Sequence, residues 1–363
     1  MLNGARLHEA SADALRAAFD RVLESGRFIG GQEVANFENV LAEQLNVSYA
    51  VGTSSGTDAL TVALSALGVR PGDEVITTAY SFIAAAAAVA RLGAKPVFVD
   101  IDPATFNIDP SGIPAAFTSR TAGVLPVHLF GQCADMPPIL DVASKEGIWV
   151  LEDTAQSIGA PLNGRMAGTM GTVGTLSFFP AKNLGALGDA GALVTDDAGL
   201  AERIRLRCNH GSAERYLHEE LGGNCRLDAL QAAFLKVKLQ RLPEWQKARR
   251  RIAEAYRQEL AGTGDLVLPA DRTDGGHVYN QFVIRTERRD VLRSALQNAD
   301  IETAIHYPMP LPFQPCFAEL GHKPGSFPNA ARASDETLAL PMDPLLTESE
   351  QLLVIDTIKA VYG

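Results

Sequence analysis

Four cysteines in 363 residues is a sparse supply, and none of Cys133, Cys208, Cys225 and Cys316 stands in a C-x-x-C pair. Their spacing argues against both a zinc site and a disulfide framework, so no metal is expected. Positive charge is short as well: 32 Lys and Arg face 43 Asp and Glu, a formal net charge of -11. A general basic surface for phosphate backbones is therefore missing, and nucleic acid is not an expected partner. Long hydrophobic runs are missing too. The most apolar one, Ile83 to Ala90, is rich in alanine, is closed by Arg91, and falls well short of the roughly 20 residues that span a bilayer. It reads as a buried helix, and no membrane partner is expected. Met1 to Ala10 has no apolar core behind a basic start, so no signal peptide is expected and the cytoplasm is the expected compartment. There are no internal repeats and no low-complexity linkers. No G-x-G-x-x-G follows the early strand, which removes the signature of a nicotinamide-binding dehydrogenase.

What is present has the length of roughly two domains. From Tyr49 to about Val194, short Val and Ile runs alternate with helical patterns: "YAVGT", "DALTVALSALGV", "DEVITT", "SFIAAAAAVARLG" and "KPVFVD". Later strands are expected at Gly123 to Val127, Ile148 to Leu151, Thr175 to Phe179 and Gly191 to Val194. Such alternation predicts an α/β domain with a mainly parallel sheet of about seven strands, covered by helices on both faces. "LDALQAAFLKVKLQRL" has helical spacing, and Pro243 opens a second amphipathic helix through Leu260. Beyond a loop from Ala261 to Gly276, strand-like "HVYNQFVIRT", helical "RRDVLRSALQNA", strand-like "IETAIHY", a Pro-rich connector and two more helices predict a smaller α+β domain. The expected division is a large domain over 1–242 and a small one over 243–363, with the N-terminal helix expected against the small domain.

Three stretches carry chemistry. In "VGTSSGTDAL" a strand runs through Gly-Thr-Ser-Ser-Gly-Thr into a helix, so free backbone N–H groups and the positive helix end form a phosphate cradle. An ordinary N-cap turn would use the same residues. In "WVLEDTAQSIGA" an apolar strand ends in Glu152-Asp153. A carboxylate at that strand end sits where open α/β sheets bind ligands and could keep a heteroaromatic nitrogen protonated, although Asp153 would also serve as a helix cap. In "TLSFFPAKNLGALGDAGAL", Lys182 follows a strand among Gly, Ala, Pro and Asn. Apolar surroundings lower a lysine's pKa, which suits it to form an imine with an aldehyde and then to act as a base, whereas most lysines are simply solvated.

In order along the chain, "GTSSGTDAL", "GDEVITTAYSF", "GAKPVFVDIDPATFNIDP", "PVHLFGQCADM", "EDTAQSIGA", "SFFPAKNLGALGDAGA", "NHGS", "GGNCRLDALQAAFLKVKL" and "HYPMPLPFQPCF" resemble the DegT/DnrJ/EryC1/StrS family of sugar aminotransferases. The resemblance covers essentially the whole chain. It implies the pyridoxal-phosphate (PLP) transferase fold of type I and a homodimer with shared active sites. It also implies Lys182 as the Schiff-base lysine, Asp153 as partner of the pyridinium nitrogen, Gln156 near the ring hydroxyl and Phe82 over the ring face. Gly56, Thr57 and Ser177 match phosphate contacts, and Asn224 matches an asparagine that reaches the partner's phosphate. Cys225 departs from the Tyr or Ser common in that segment. The family's dehydrating members carry histidine at the lysine position, so Lys182 favours aminotransfer. The C-terminal stretch resembles members acting on dTDP-linked 3-keto-6-deoxyhexoses, with glutamate the expected donor and a UDP-linked N-acetylated keto-sugar the alternative. His306, Tyr307, Tyr80 and His128 are candidate sugar or pyrophosphate contacts and Arg226 a candidate for an acidic group. Each of these five could equally serve loop packing or surface pairing. A non-catalytic regulator on the same fold would be expected to have lost Lys182 and Asp153, and both are intact.

Overall fold

Runs of Val, Ile and Leu ended by Gly, Pro or Asp give strands of about five residues whose side chains leave on opposite faces. A computed structural model describes residues 4–271 and 276–363, with the backbone alone for Gly4 and Ala5. Met1 to Asn3, and Arg272 to Gly275 within the expected loop, lie outside the described residues. The chain opens with α1 (Gly4–Glu9), α2 (Ala12–Ser25) and α3 (Gly31–Leu45). Strands and helices then alternate as β1 (Tyr49–Thr53), α4 (Gly56–Ala66), β2 (Glu74–Thr78), α5 (Ala84–Arg91), β3 (Lys95–Val99), α6 (Ile113–Ala116), β4 (Thr121–Leu125), α7 (Met136–Glu146) and β5 (Trp149–Asp153). A short hairpin of β6 (Pro161–Leu162) and β7 (Arg165–Met166) precedes β8 (Val173–Ser177) and β9 (Gly191–Thr195). The rest comprises α8 (Ala198–Cys208), α9 (Ala229–Leu239), α10 (Leu242–Leu260), β10 (Phe282–Arg285), α11 (Arg289–Asn298), α12 (Pro328–Glu336), β11 (Thr337–Leu340) and α13 (Glu348–Tyr362).

Seven strands form one sheet in the order β1-β9-β8-β5-β4-β2-β3. β9 is antiparallel to both β1 and β8, while the remaining pairs are parallel, so only β9 runs against the others. Alternation divides the strand residues between two cores. Val75, Leu125 and Leu151 pack with Ala59, Ala63 and Leu64 of α4 on one face, whereas Ile76, Val124 and Val150 pack with Ile139 and Ala143 of α7 on the other. Each such Val, Leu or Ile side chain contributes roughly 1.5–3 kcal/mol of burial, so coverage of both faces, more than any one contact, holds the sheet together. The expected α/β class with a mainly parallel sheet of about seven strands is the class that forms.

Several boundaries move. β4 lies two residues before the expected start at Gly123 and ends at Leu125, because Pro126 follows and has no N–H to give a ladder. The expected strand in "HVYNQFVIRT" shrinks to β10. Val278 and Gln281 give their N–H groups to the carbonyls of Gly131 and Phe130, and Tyr279 is left-handed at φ 44, which takes this segment out of the small sheet. "IETAIHY" is not a strand but makes one bridge, Ala304 to Ala339. A third core of α10, α11, α13, β10 and β11, with Ile252, Tyr256, Phe282, Leu292, Leu338 and Ile355, lies in the last third of the chain. Arg6 of α1 reaches it through Glu350 at 2.8 Å and the Leu345 carbonyl. Among the described residues no helix is long and apolar enough to cross a membrane.

Candidate active site

Thr78 of β2, Asp153 of β5, Ser177 of β8 and Thr53 of β1 all end strands at the same edge of the sheet, the carboxyl edge where parallel sheets bind ligands. A cavity of about 400 Å³ opens there, bordered by Gly56, Thr57, Phe82, Asp153, Gln156, Ser177, Lys182, Asn280, Gln281, His306 and Tyr307, among others.

One wall is the start of α4. Ser55 caps it, its hydroxyl accepting the Asp58 N–H at 3.0 Å, and the first N–H groups of any helix, here those of Gly56 and Thr57, lack intrahelical acceptors. A Cβ at position 56 would stand 2.6 Å from the Cβ of Ser177, and one at Gly191 would stand 2.5 Å from the Ser55 backbone. Both glycines let the helix end sit directly against β8 and β9. The donors, the positive helix end and the Ser177 hydroxyl side by side form an anion cradle.

The floor is Asp153. Its Oδ1 accepts the Ala155 N–H at 3.0 Å, and a turn rather than a helix follows, so it caps nothing. Burial pushes its carboxyl above the usual range, with the Ala155 N–H, Lys182 and His128 opposing. A carboxylate so placed is stabilised by a cation brought into the cavity. Lys182 lies five positions beyond the β8 end in a turn closed by its N–H to the Phe179 carbonyl at 2.8 Å. The loop is drawn tight by Gly185, where a side chain would collide with the Pro180 carbonyl, and pinned by the buried Lys238, whose ammonium donates to the Gly185 carbonyl. Burial lowers the Lys182 pKa to about 8, against the pull of Asp153. At physiological pH a minority of such an amine is neutral, far more than of an exposed lysine.

Gln156 is oriented by its neighbours, its Oε1 accepting the Phe130 N–H at 2.6 Å while its Nε2 donates to the Tyr307 hydroxyl at 3.1 Å. Phe82 is 57% exposed and stands 6.2 Å from the Tyr307 ring, an apolar plate at the mouth. His306 borders the cavity, its pKa lowered by burial and by the charge of Lys182.

Three candidate contacts do not border this cavity. Tyr80 is fully buried outside the cavity, and its hydroxyl donates to the His306 carbonyl at 2.5 Å and accepts the Tyr307 N–H at 2.8 Å. It holds the two candidates in place from behind the cavity wall. His128 is also fully buried. Its Nδ1 accepts the Ala134 N–H, so Nε2 carries the proton and donates to Glu152 at 2.8 Å, on the side of β5 away from Asp153. Arg226 donates to Asn209 at 2.8 Å beside the exposed Asn224, and neither borders the cavity of its own chain. Sequence reading missed Asn280 and Gln281, hidden in a stretch taken for a strand. Two adjacent amides interrupting an alternating apolar pattern were the available signal.

A low-pKa lysine, a buried carboxylate and an anion cradle on one edge of a seven-stranded sheet with this connectivity define a PLP-dependent transferase of fold type I. The chain belongs to the DegT/DnrJ/EryC1/StrS aminotransferase family, whose model matches residues 10–359. It is 46% identical to a "Pleiotropic regulatory protein" of Geobacillus stearothermophilus, over 100% of this chain and 98% of that one. It is 42% identical to the dTDP-3-amino-3,4,6-trideoxy-alpha-D-glucose transaminase of Streptomyces venezuelae, over 97% and 94%. The crystal structure of S. venezuelae DesV in complex with a ketimine intermediate superposes with a TM-score of 0.97 at 41% identity, covering 99% of this chain and 97% of that one.

Proposed function

We propose that this enzyme uses PLP to move an amino group from an amino acid, L-glutamate, to a nucleotide-diphosphate-linked keto-sugar of the dTDP-3-keto-6-deoxyhexose class. It would act in the cytoplasm, where its phosphorylated substrates are held. The observation that carries the reading is Lys182, pulled to a pKa of about 8 in the same cavity as the buried Asp153. Each charge is costly to bury, and a regulator on this fold would need neither.

The residues present fit the cofactor. Gly56, Thr57 and Ser177 would hold its phosphate, Asp153 its ring nitrogen, Gln156 the side of its ring hydroxyl, Phe82 a ring face and Lys182 its aldehyde. When bound, the cofactor supplies an aldehyde that captures amines and a ring that withdraws electrons. The chain does the rest. Asp153, charged opposite a cation, keeps a proton on the ring nitrogen. Lys182 Nζ, in its neutral form, would take the proton from the amine-bearing carbon of the donor and deliver it to the cofactor's aldehyde carbon, on the far side of the nitrogen. In the second half of the cycle it reverses that transfer for the sugar. Gln156 keeps its orientation because Phe130 and Tyr307 occupy both ends of its amide.

We read residues 1–242 as the large domain and 243–363 as the small one, supported by the separate core around α10. Two copies are proposed to share their sites. The support is the exposed Asn224 outside its own cavity and an apolar rim of Phe19, Leu23, Phe28 and Ile29 on α2 and the turn after it.

The test is to incubate the protein with PLP, glutamate and a panel of dTDP- and UDP-linked 3- and 4-keto-sugars and to identify products by mass. An amino-sugar nucleotide from a dTDP-linked 3-ketone is expected. Turnover of glutamate without amination of any nucleotide-linked sugar would overturn the reading.

A further inference from the structure

Asn280 borders the catalytic cavity, is only 6% exposed, and has no hydrogen-bond partner for either Nδ2 or Oδ1. Gln281, also on the cavity wall, has an Oε1 that is buried and equally unpartnered. Native interiors rarely leave such groups open, and a planar amide with both ends free is an unfilled recognition element. We propose that Asn280, with Gln281 beside it, reads a ring hydroxyl of the sugar next to the carbon that receives the amine. This rests on the sugar aminotransferase reading above and deepens it.

Counting open groups decides between the two substrates that must use this cavity in turn. Among the buried side-chain atoms of the pair that lack a partner, two are acceptors, Asn280 Oδ1 and Gln281 Oε1, and one is a donor, Asn280 Nδ2. A carboxylate offers acceptors only, so it would satisfy Nδ2 and leave two oxygens facing its charge. A hydroxyl accepts from Nδ2–H and returns its own proton to one oxygen, and a neighbouring hydroxyl of the same ring can supply the proton for the other. The pair therefore suits the polyhydroxyl partner and not the amino-acid donor.

The backbone around Asn280 is built to hold this amide still. Buried Arg249 donates to the carbonyls of Tyr279, at 3.0 Å, and Met342, at 2.8 Å, with the Asn280 carbonyl at 3.4 Å. Asn183, next to Lys182, donates to the Val278 carbonyl at 3.0 Å. Gly131 admits the segment so closely that a Cβ there would lie 2.7 Å from the Tyr279 nitrogen. The lysine turn and the amide are thus fixed to one another through a single residue.

The experiment measures the two half-reactions separately, by the cofactor's absorbance change, for wild type, Asn280→Leu and Asn280→Ser. It uses glutamate on one side and, on the other, nucleotide-linked keto-sugars that carry or lack each hydroxyl flanking the ketone. The expected result is a loss of about tenfold or more in kcat/KM for the sugar half-reaction in both variants, with the glutamate half-reaction within about threefold. The wild-type penalty for removing one particular hydroxyl should vanish in the variants, a coupling that a merely structural role would not produce. Equal losses in both half-reactions, or an undiminished penalty for each missing hydroxyl in the variants, would overturn the proposal. A wild-type enzyme that turns over glutamate but no nucleotide-linked sugar would remove its foundation, a failure recognisable before any variant is made. Asn280→Ser, smaller and polar, keeps the test available where leucine disrupts packing.

Discussion

Lys182 and Asp153 reach opposite conditions from one cause. Burial takes the amine down to about 8 and the carboxyl upward, and the charge of each partly offsets the shift of the other. A lysine loses its proton as pH rises through its pKa, and the neutral amine is the form that attacks an aldehyde. The rate at which cofactor-free protein captures PLP should therefore rise with a midpoint of about pH 8 and not near 10.4, the value for an exposed lysine. Stopped-flow absorbance against pH checks this, with Lys182→Ala showing no capture. Asp153 gains its proton as pH falls, and a neutral carboxyl or amide cannot hold a proton on the ring nitrogen. Asp153→Asn should still bind cofactor yet slow both half-reactions by roughly a hundredfold or more. Near-normal turnover would leave Asp153 with no role beyond its bond to Ala155. Both residues were legible because their neighbourhoods were odd: a lysine among Gly and Ala, an acid closing an apolar strand. That Tyr80 and His128 are buried outside the cavity was not legible, since sequence shows a polar residue near the site but not which way it faces.

At the scale of elements, the alternation of strand and helix over residues 49–195 announced the sheet, and the structure added the one reversal, β9. That reversal depends on the loop around Lys182, whose tight turn returns the chain beside β8, and no periodicity encodes it. The small sheet was less legible, because the segment before β10 spends its N–H groups on the turn at Phe130 and Gly131, a tertiary choice invisible to local pattern. The contact between α4 and β8 gives a direct test. Gly56→Ala places a methyl 2.6 Å from the Ser177 Cβ, and overpacking of this kind costs about 1–3 kcal/mol. The helix start should move away from Ser177 and weaken PLP affinity by about tenfold. Equilibrium titration by absorbance would show it, and an unchanged affinity would mean that the cradle does not hold the phosphate.

For the whole molecule, the shared-site proposal makes a prediction that no single chain could satisfy. Lys182→Ala and Asn224→Asp should each be severely impaired as homodimers, the second because a negative charge repels phosphate across the interface. Co-expressed, they would form mixed dimers in which one site is free of both lesions and the other carries both. Activity above the sum of the parents at equal concentration is expected, whereas folded mixed dimers without recovery, or an active monomer, would rule out sharing. The sheet order bears on how such a molecule is made at all. β1 is the first strand synthesised, yet its only neighbour in the sheet is β9, the last, with Tyr49 paired to Thr195 and Thr53 to Gly191. On the ribosome, β1 must therefore wait as an unpaired edge while more than a hundred further residues emerge, several seconds at roughly 5–20 residues per second. Throughout that wait the turn at Gly56 has no backing from Gly191. The nascent chain acquires a place for its cofactor only when the sheet closes, so cofactor capture reports the completion of this half of the fold.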